Sequence, residues 1–352
     1  MSEWYVSGIQ QVGIGNTSVE KTWAFYRKHF GFDVPVFQEE AVANLMLPYT
    51  GGEPQKRNAT LTLNMNGGGG LEIWQYTERT PQSAKFDILP GDLGIHTLKL
   101  KTTDIHKAFE YCKKQKLELI SEIEERGKAG CSFLLKDLWG NVVEITESDA
   151  WFQRKGLFGG VEGVSIGVSD MEQSLIFYGD LLGFDTKIWE SEGTFETFES
   201  WTGENHSYHR VILKRSEAYA GAFSPLLGAA QIELVQVKNR ASNVIFKDRF
   251  WGDPGYIHLC FDIQGMDTLK KRCEEFNHPF TVDSANSFDM GEAAGRFAYI
   301  EDPDGTLIEF VETHKVPILK KINFYLDLRK RDPKKPLSNF MLKALGFNRV
   351  KD

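Results

Sequence analysis

Four glutamates stand in the middle of strongly apolar segments, where an ionised side chain is costly to bury. The segments are GLEIWQ, NVVEIT, QIELVQ and LIEFVE, and their glutamates are Glu72, Glu144, Glu233 and Glu309. A buried carboxylate needs a cation or a hydrogen-bond donor as its partner. Two such carboxylates that converge near an imidazole repel each other, and a divalent cation reverses the sign of that interaction. The pattern therefore indicates a metal site.

The segment GIQQVGIGN alternates like a strand and places Gln11, Gly13 and Gly15 on one face. We interpret this face as the lining of a metal-containing cup, in which the two glycines leave room for a ligand. Close packing of a helix would explain the glycines equally well. An amide adds an oxygen ligand without charge, so one Gln, one His and two Glu leave a neutral complex with a divalent ion. Such mixed ligands suit Zn, Ni, Co, Mn or Fe.

The chain is a tandem duplication. VGIGNTSVEKTWAFYRKHFGFD at 12–33 recurs as VSIGVSDMEQSLIFYGDLLGFD at 164–185, and three later pairs keep the same order. These pairs are LEIWQ with IELVQ, GIHTLKL with YIHLCFD, and KDLWGNVVEI with EDPDGTLIEF. Each half contains a weaker second repeat of strand, helix and three strands. We therefore predict an α+β fold of four βαβββ units, at about 9–76, 94–147, 161–237 and 256–312, whose curved mixed sheets are backed by helices.

The repeat sets the domain boundaries. We predict a first domain at 1–147, a linker at 148–160, a second domain at 161–312 and a basic C-terminal extension at 313–352. The second domain has an enlarged hairpin at 186–231. Its aromatic residues suggest a lid over a larger, partly aromatic substrate; they are Trp189, Phe195, Phe198, Trp201 and Tyr208.

Together, these motifs resemble the vicinal-oxygen-chelate superfamily, which includes glyoxalase I, extradiol dioxygenases, methylmalonyl-CoA epimerase and bleomycin-resistance proteins. The resemblance covers about residues 9–312. It implies one inward, ligand-type position on the first and last strand of each unit. In the first half these positions are Gln11, Glu72, His96 and Glu144, and in the second half they are Gly163, Glu233, His258 and Glu309.

The resemblance leaves two ways of grouping the ligands. A dioxygenase-like cup closes within one domain and would join Gln11, Glu72, His96 and Glu144. A glyoxalase I-like cup lies between the domains and would join Gln11, Glu72, His258 and Glu309. A ligand-type Glu closing the first unit resembles glyoxalase I, whereas the dioxygenases use two His and one Glu. We therefore favour the interdomain set, which leaves His96, Glu144 and Glu233 around Gly163 as an incomplete site.

The favoured set implies a metal-dependent lyase or isomerase that acts on a small substrate with vicinal oxygens through an enediolate or enolate. Glu309 is the candidate base, with Glu72 as its partner across the site. Trp74 and Tyr76 share a face with Glu72 and could supply an aromatic wall and a hydroxyl. In glyoxalase I an Arg and an Asn that hold glutathione stand where this chain has Gly15 and Tyr76, which argues against glutathione. The alternatives are a ring-cleaving dioxygenase and a non-catalytic binding protein of the bleomycin-resistance type.

Composition and charge narrow the range of partners. The net charge is −8, and 313–352 contains 11 Lys and Arg against 3 Asp and Glu, so the rest of the chain carries −16. Such an acidic body would repel a phosphate backbone, so we expect a small-molecule substrate rather than nucleic acid. No long apolar run or export signal stands out, and four scattered cysteines suggest reduced thiols. We expect a cytoplasmic monomer or homodimer with no membrane partner, and a tail packed over the acidic body.

Overall fold

The computed structural model describes residues 3–285, 288–289, 294–319 and 324–350. The first unit contains β1 (Tyr5–Gly15), α1 (Val19–Phe30), β2 (Val34–Ala43), β3 (Gln55–Leu63) and β4 (Gly70–Tyr76). The second contains β5 (Gly94–Thr102), α2 (Ile105–Lys114), β6 (Glu118–Leu119), β7 (Glu124–Glu125), β8 (Cys131–Lys136) and β9 (Val142–Glu147). The third contains β10 (Phe158–Gly167), α3 (Met171–Leu175) with a π-helical continuation (Ile176–Leu181), β11 (Thr186–Gly193), α4 (Glu196–Thr202), β12 (Tyr208–Lys214), α5 (Ser224–Leu227) and β13 (Gln231–Val237). The fourth contains β14 (Gly255–Gln264), α6 (Met266–Glu275), β15 (Val282–Asp283), β16 (Phe288–Asp289), β17 (Ala294–Glu301) and β18 (Leu307–Leu319), and β19 (Phe324–Asp327) and α7 (Asn339–Ala344) follow.

Two mixed sheets are formed, and each combines one unit from each half of the chain. The first sheet has the order β15-β17-β18-β14-β1-β4-β3-β2, with β16 on β17 and β19 on β18. The second has the order β11-β12-β13-β10-β5-β9-β8-β6, with β7 on β8. The halves therefore meet through the antiparallel pairs β1–β14 and β5–β10. The predicted α+β fold of four repeated units is confirmed.

Helix α1 shows how local sequence defines an element. The Ser18 side chain accepts a hydrogen bond from the Lys21 amide at its N-terminus, and Gly31 ends it in the left-handed conformation at φ 73°. Between these caps, residues three and four apart form a stripe that packs on the sheet, including Trp23, Tyr26 and Phe30. None of the helices in the described ranges is long and apolar enough to cross a membrane.

The repeated FY and D-x-x-G motifs contact each other across the two sheets. The Tyr26 hydroxyl donates to Asp137 Oδ2 at 3.0 Å, and the Tyr178 hydroxyl donates to Asp302 Oδ2 at 2.8 Å. All four residues are buried. Each tyrosine lies in the first unit of its half, and each aspartate lies in the second unit. The two motifs therefore recur together, because the FY motif supplies the donor and the D-x-x-G motif supplies the acceptor of the same hydrogen bond.

The basic tail packs on the first sheet. Leu337, Leu342 and Leu345 join Val34 of β2 and Leu63 of β3 in one buried apolar cluster. Two ion pairs join the tail to acidic residues of the body: Lys334 Nζ lies 2.8 Å from Glu3 Oε2, and Arg349 Nε lies 3.0 Å from Asp33 Oδ2. The described residues of 324–350 therefore pack on the body of the protein.

Asp262, in β14, gives a prediction about pH. Its side chain is fully buried, and burial raises its pKa to about 7, against the effect of hydrogen bonds from Gln10 and Thr313. Because this exceeds the ordinary value of 3.8, the folded state holds the proton more tightly, and Asp262 loses its stabilising contribution as pH rises from about 4 to 7. Asp262→Asn cannot ionise, so its melting temperature relative to the unmodified protein should rise over that window and level off above it. Calorimetry between pH 4.5 and 8.5 measures this, and a constant difference would contradict it.

Candidate metal site and adjoining cavity

Four neighbouring strands of the first sheet bring one polar side chain each to a common point. The order β18-β14-β1-β4 places Glu309, His258, Gln11 and Glu72 side by side, and we call this group site A. Within the described ranges, Glu72, His258 and Glu309 are the one set of His, Cys, Asp or Glu side chains whose ligand atoms all lie within 4.8 Å of one another. The structure thus brings together the interdomain set that the sequence favoured.

The distances in site A are short, but the contacts are poorly aligned. His258 Nε2 lies 3.1 Å from Glu309 Oε2 and 3.4 Å from Glu72 Oε2. Neither His258 ring nitrogen has a hydrogen-bond partner of acceptable geometry, although His258 is fully buried. Gln11 Nε2 donates to Glu309 Oε2 at 3.2 Å, and its buried Oε1 is left without a donor. These atoms converge without satisfying one another, which is the arrangement expected of ligands around an ion.

The electrostatics of site A support this interpretation. Burial by itself lowers the pKa of His258, but the carboxylates of Glu309 and Glu72 outweigh it and raise that pKa to about 9. Two acceptor carboxylates therefore attract positive charge to this point. A divalent ion would meet that demand and leave the imidazole neutral, as a ligand must be.

The two glycines beside Gln11 make room for protein rather than for a ligand. A Cβ on Gly13 would lie 2.5 Å from Cε1 of His258, and one on Gly15 would lie 2.0 Å from the Asp253 carbonyl oxygen. The expectation that these holes face the substrate was therefore wrong. Gly13 instead lets the His258 ring fold over β1.

Aromatic rings hold His258 in place. Trp251 stacks on it with centroids 6.2 Å apart, and Tyr299 packs edge-on at 5.6 Å. Trp74 contacts Trp251 at 4.6 Å. Sequence reasoning missed Trp251 and Tyr299, although both stand beside recognised motifs, in the loop before YIHLCFD and in the strand before EDPDG. The Tyr76 hydroxyl donates to the Trp251 carbonyl oxygen, so it fixes this loop instead of facing a substrate.

A cavity of about 390 Å³ opens from site A. Gln11, Glu72 and Glu309 lie on its wall, and Trp74 also lines it. Tyr76 is not among its lining residues in the described part of the chain.

The second sheet forms the corresponding cup, but protein cations fill it. We call the group Glu144, Glu233 and His96 site B. Lys99 Nζ lies 2.6 Å from Glu144 Oε2 and 2.6 Å from Glu233 Oε2. Arg126 also pairs with Glu144, and Arg210 Nη2 lies 2.7 Å from Glu233 Oε1.

These cations determine the state of the acids in site B. Burial raises the pKa of each glutamate, but Arg126 and Lys99 outweigh it at Glu144, and Arg210 and Lys99 outweigh it at Glu233, so both pKa values are lowered. Burial also lowers the pKa of His96 to about 3, so its ring is neutral. At Gly163 a Cβ would lie 1.8 Å from the Gln231 carbonyl oxygen, so no side-chain ligand fits there. Site B is a closed ion-pair cluster.

The alternative, within-domain ligand set is not brought together. Gln11 and Glu72 lie on the first sheet, whereas His96 and Glu144 lie on the second. The physical reason is the pairing of β1 with β14 in place of β5.

The enlarged hairpin covers site B, so the predicted aromatic lid over the substrate was wrong. The Arg210 guanidinium carbon lies 4.2 Å from the ring centroid of Phe198 and 4.5 Å from that of Phe195. The aromatic residues named for the lid are absent from the described lining of the cavity. Another part of the same insertion, containing Phe223 and Leu226, does line it.

The sequence matches the family model described as the Glyoxalase/Bleomycin resistance protein/Dioxygenase superfamily twice, over residues 8–145 and 160–310. The chain belongs to this superfamily. No curated protein matches the sequence.

Two solved structures show the likeness in fold. Glyoxalase I from Zea mays is 13% identical with a TM-score of 0.52, over 88% of this chain and 92% of that one. A putative dioxygenase from Bacillus subtilis subsp. subtilis str. 168 is 11% identical with a TM-score of 0.54, over 88% of this chain and 86% of that one. At these identities the likeness concerns the fold alone, and the choice of activity depends on the site.

Lys99 gives a stability prediction for site B. Lys99→Met removes the cation shared by two buried carboxylates, and we expect a loss of about 3–5 kcal/mol in the free energy of unfolding, measured by urea denaturation. The matched control is Lys136→Met, which breaks the exposed pair between Lys136 and Glu118 and should cost about 0–1 kcal/mol. Equal effects of the two substitutions would show that Lys99 does not neutralise the cluster.

Proposed function

We propose that this protein is a metal-dependent, glyoxalase-like lyase or isomerase that acts on a small substrate with vicinal oxygens through an enediolate or enolate. The observation that carries the proposal is the convergence of Glu72 and Glu309 on His258 at the wall of a cavity. Gln11, Glu72, His258 and Glu309 would hold one divalent ion, of the Zn, Ni, Co, Mn or Fe type. When bound, such an ion acts as a Lewis acid that stabilises negative charge on the substrate oxygens.

Glu309 is the proposed general base, and Glu72 is its partner across the site. Glu309 Oε2 accepts a hydrogen bond from Gln11 and lies beside His258, and the residue lines the cavity. From there its carboxylate can take a proton from one substrate carbon and return it to the neighbouring carbon, so the substrate is isomerised without a change in formula. Trp74 and Trp251 exclude water on one side of this point.

The site gives less support to the two alternatives. The dioxygenase pattern needs two His and one carboxylate, whereas site A has one His among the described residues. A binding protein without metal would leave Gln11 Oε1 and the paired carboxylates unexplained.

Metal content tests the cofactor. After loading with zinc and removal of the excess, we expect one ion per chain by elemental analysis, and a thermal shift that chelators reverse. His258→Ala should weaken binding at least a hundredfold, because it removes a ligand. His96→Ala is the matched control, because His96 is the histidine of the same repeated motif beside site B, and it should bind zinc as the unmodified protein does. Equal loss in both variants would contradict the assignment of site A.

Proton exchange tests the base. The loaded protein should catalyse exchange of the carbon-bound protons of hydroxyacetone with D₂O, followed by NMR. Glu309→Gln should slow this exchange by about 10²–10⁴-fold while zinc remains bound. Glu172→Gln, on the exposed face of α3, is the control and should exchange at the unmodified rate. Unchanged exchange in Glu309→Gln with zinc bound would reject Glu309 as the base.

A further inference from the structure

The cavity beside site A is lined mostly by apolar side chains. Its volume of about 390 Å³ lies within the range of about 300–1,000 Å³ usual for small-molecule sites. Val36 and Leu61 line one side of it, and Phe297 and Val311 line another. A molecule chelated at site A would therefore extend its remaining atoms along hydrocarbon and ring surfaces.

Two segments that have no counterpart in the first half of the chain complete the cavity. Leu226 comes from α5 in the insertion, and Leu345 comes from the C-terminal extension. Both are buried in one apolar cluster with Val34, Leu63 and Leu342, so they are fixed to the sheet. The insertion and the C-terminal extension thus set part of the shape of the cavity.

The charged residues of the described lining are one ion pair and two candidate ligands. Arg57 Nη2 lies 2.6 Å from Glu39 Oε1, which makes a neutral pair. Glu72 and Glu309 carry the remaining charge, and one divalent ion would cancel it. Lysine is absent from the described lining, and Arg57 is its single cation, so a substrate with several carboxylates finds no partner there.

We infer that the substrate carries an uncharged alkyl or aryl body on its vicinal oxygens, and that the insertion and the C-terminal extension select this body. The inference rests on the proposed function, because it needs an ion at site A to hold the oxygens. Burial of the apolar body of the substrate then supplies binding free energy that a charged substrate would gain from ion pairs.

The test is a series of straight-chain hydroxamic acids, which chelate through two oxygens, titrated calorimetrically into the zinc-loaded protein. From acetohydroxamate to octanohydroxamate, the dissociation constant should fall about threefold to fourfold per methylene. Suberic acid monohydroxamate, with a terminal carboxylate, should bind at least tenfold more weakly than octanohydroxamate. A flat series, or no loss on adding the carboxylate, would overturn the inference.

A variant connects the series to the cavity. Val36→Asp places a carboxylate on the cavity wall and should abolish the gain per methylene. Val244→Asp is the control, since Val244 is 40% exposed and lies outside the cavity lining, and it should keep the full gain. A gain that persists in Val36→Asp would overturn the inference. The unmodified series remains decisive if this variant does not fold.

The two proposals fail in distinguishable ways. Zinc that binds together with acetohydroxamate, but with no dependence on chain length, would overturn the apolar substrate and leave the proposed function standing. Failure of the unmodified protein to bind zinc would overturn both.

Discussion

The energetic cost of a buried carboxylate is the constraint on which this structure depends. Both cups bring two strand glutamates together, and both must supply positive charge to them. Site B does so with Lys99, Arg126 and Arg210, all from the chain itself. Site A has His258 alone, whose pKa is raised to about 9 by Glu309 and Glu72 against the effect of burial. The same requirement makes site B self-sufficient, and it is the reason we propose that site A takes a cation from outside.

Much of this arrangement could be predicted from the sequence, because it is periodic. The duplicated motifs gave the four units and their order, and period-two alternation identified the faces of the glutamates. The choice of the interdomain set depended on Glu72, the ligand-type glutamate that closes the first unit, because each grouping contains only one histidine. The structure places Gln11 and Glu72 beside His258 and Glu309, and their role as ligands stays a proposal. What made these features predictable is that each depends on neighbours a few residues away, or on a repeat visible in the chain.

The cations of site B were overlooked for a reason that lies in the strand β5. Because side chains alternate along a strand, counting from His96 places Leu98 and Leu100 on the face that lines site B. Both leucines instead lie in the large apolar core, and the Lys99 side chain donates to Glu144 and Glu233. Lys99 in GIHTLKL is as costly to bury ionised as the strand glutamates are, and this cost would have identified the pairing. The residues that form the cavity walls could not be predicted in this way. Leu226 and Leu345 approach site A through contacts between distant segments, and no local pattern encodes such contacts.

The exchange of units between the halves has a consequence for symmetry. If two separate copies of one half assembled in this way, each copy would contribute identically, and both cups would have to be the same. Covalent fusion of the halves removes that requirement. Site B can then be neutralised by the chain itself, with Gly163 in place of a ligand and Lys99 in place of an ion. The sequence of site A can change independently of it. A fused chain can therefore hold two sites of different composition, which a symmetric dimer of identical halves cannot.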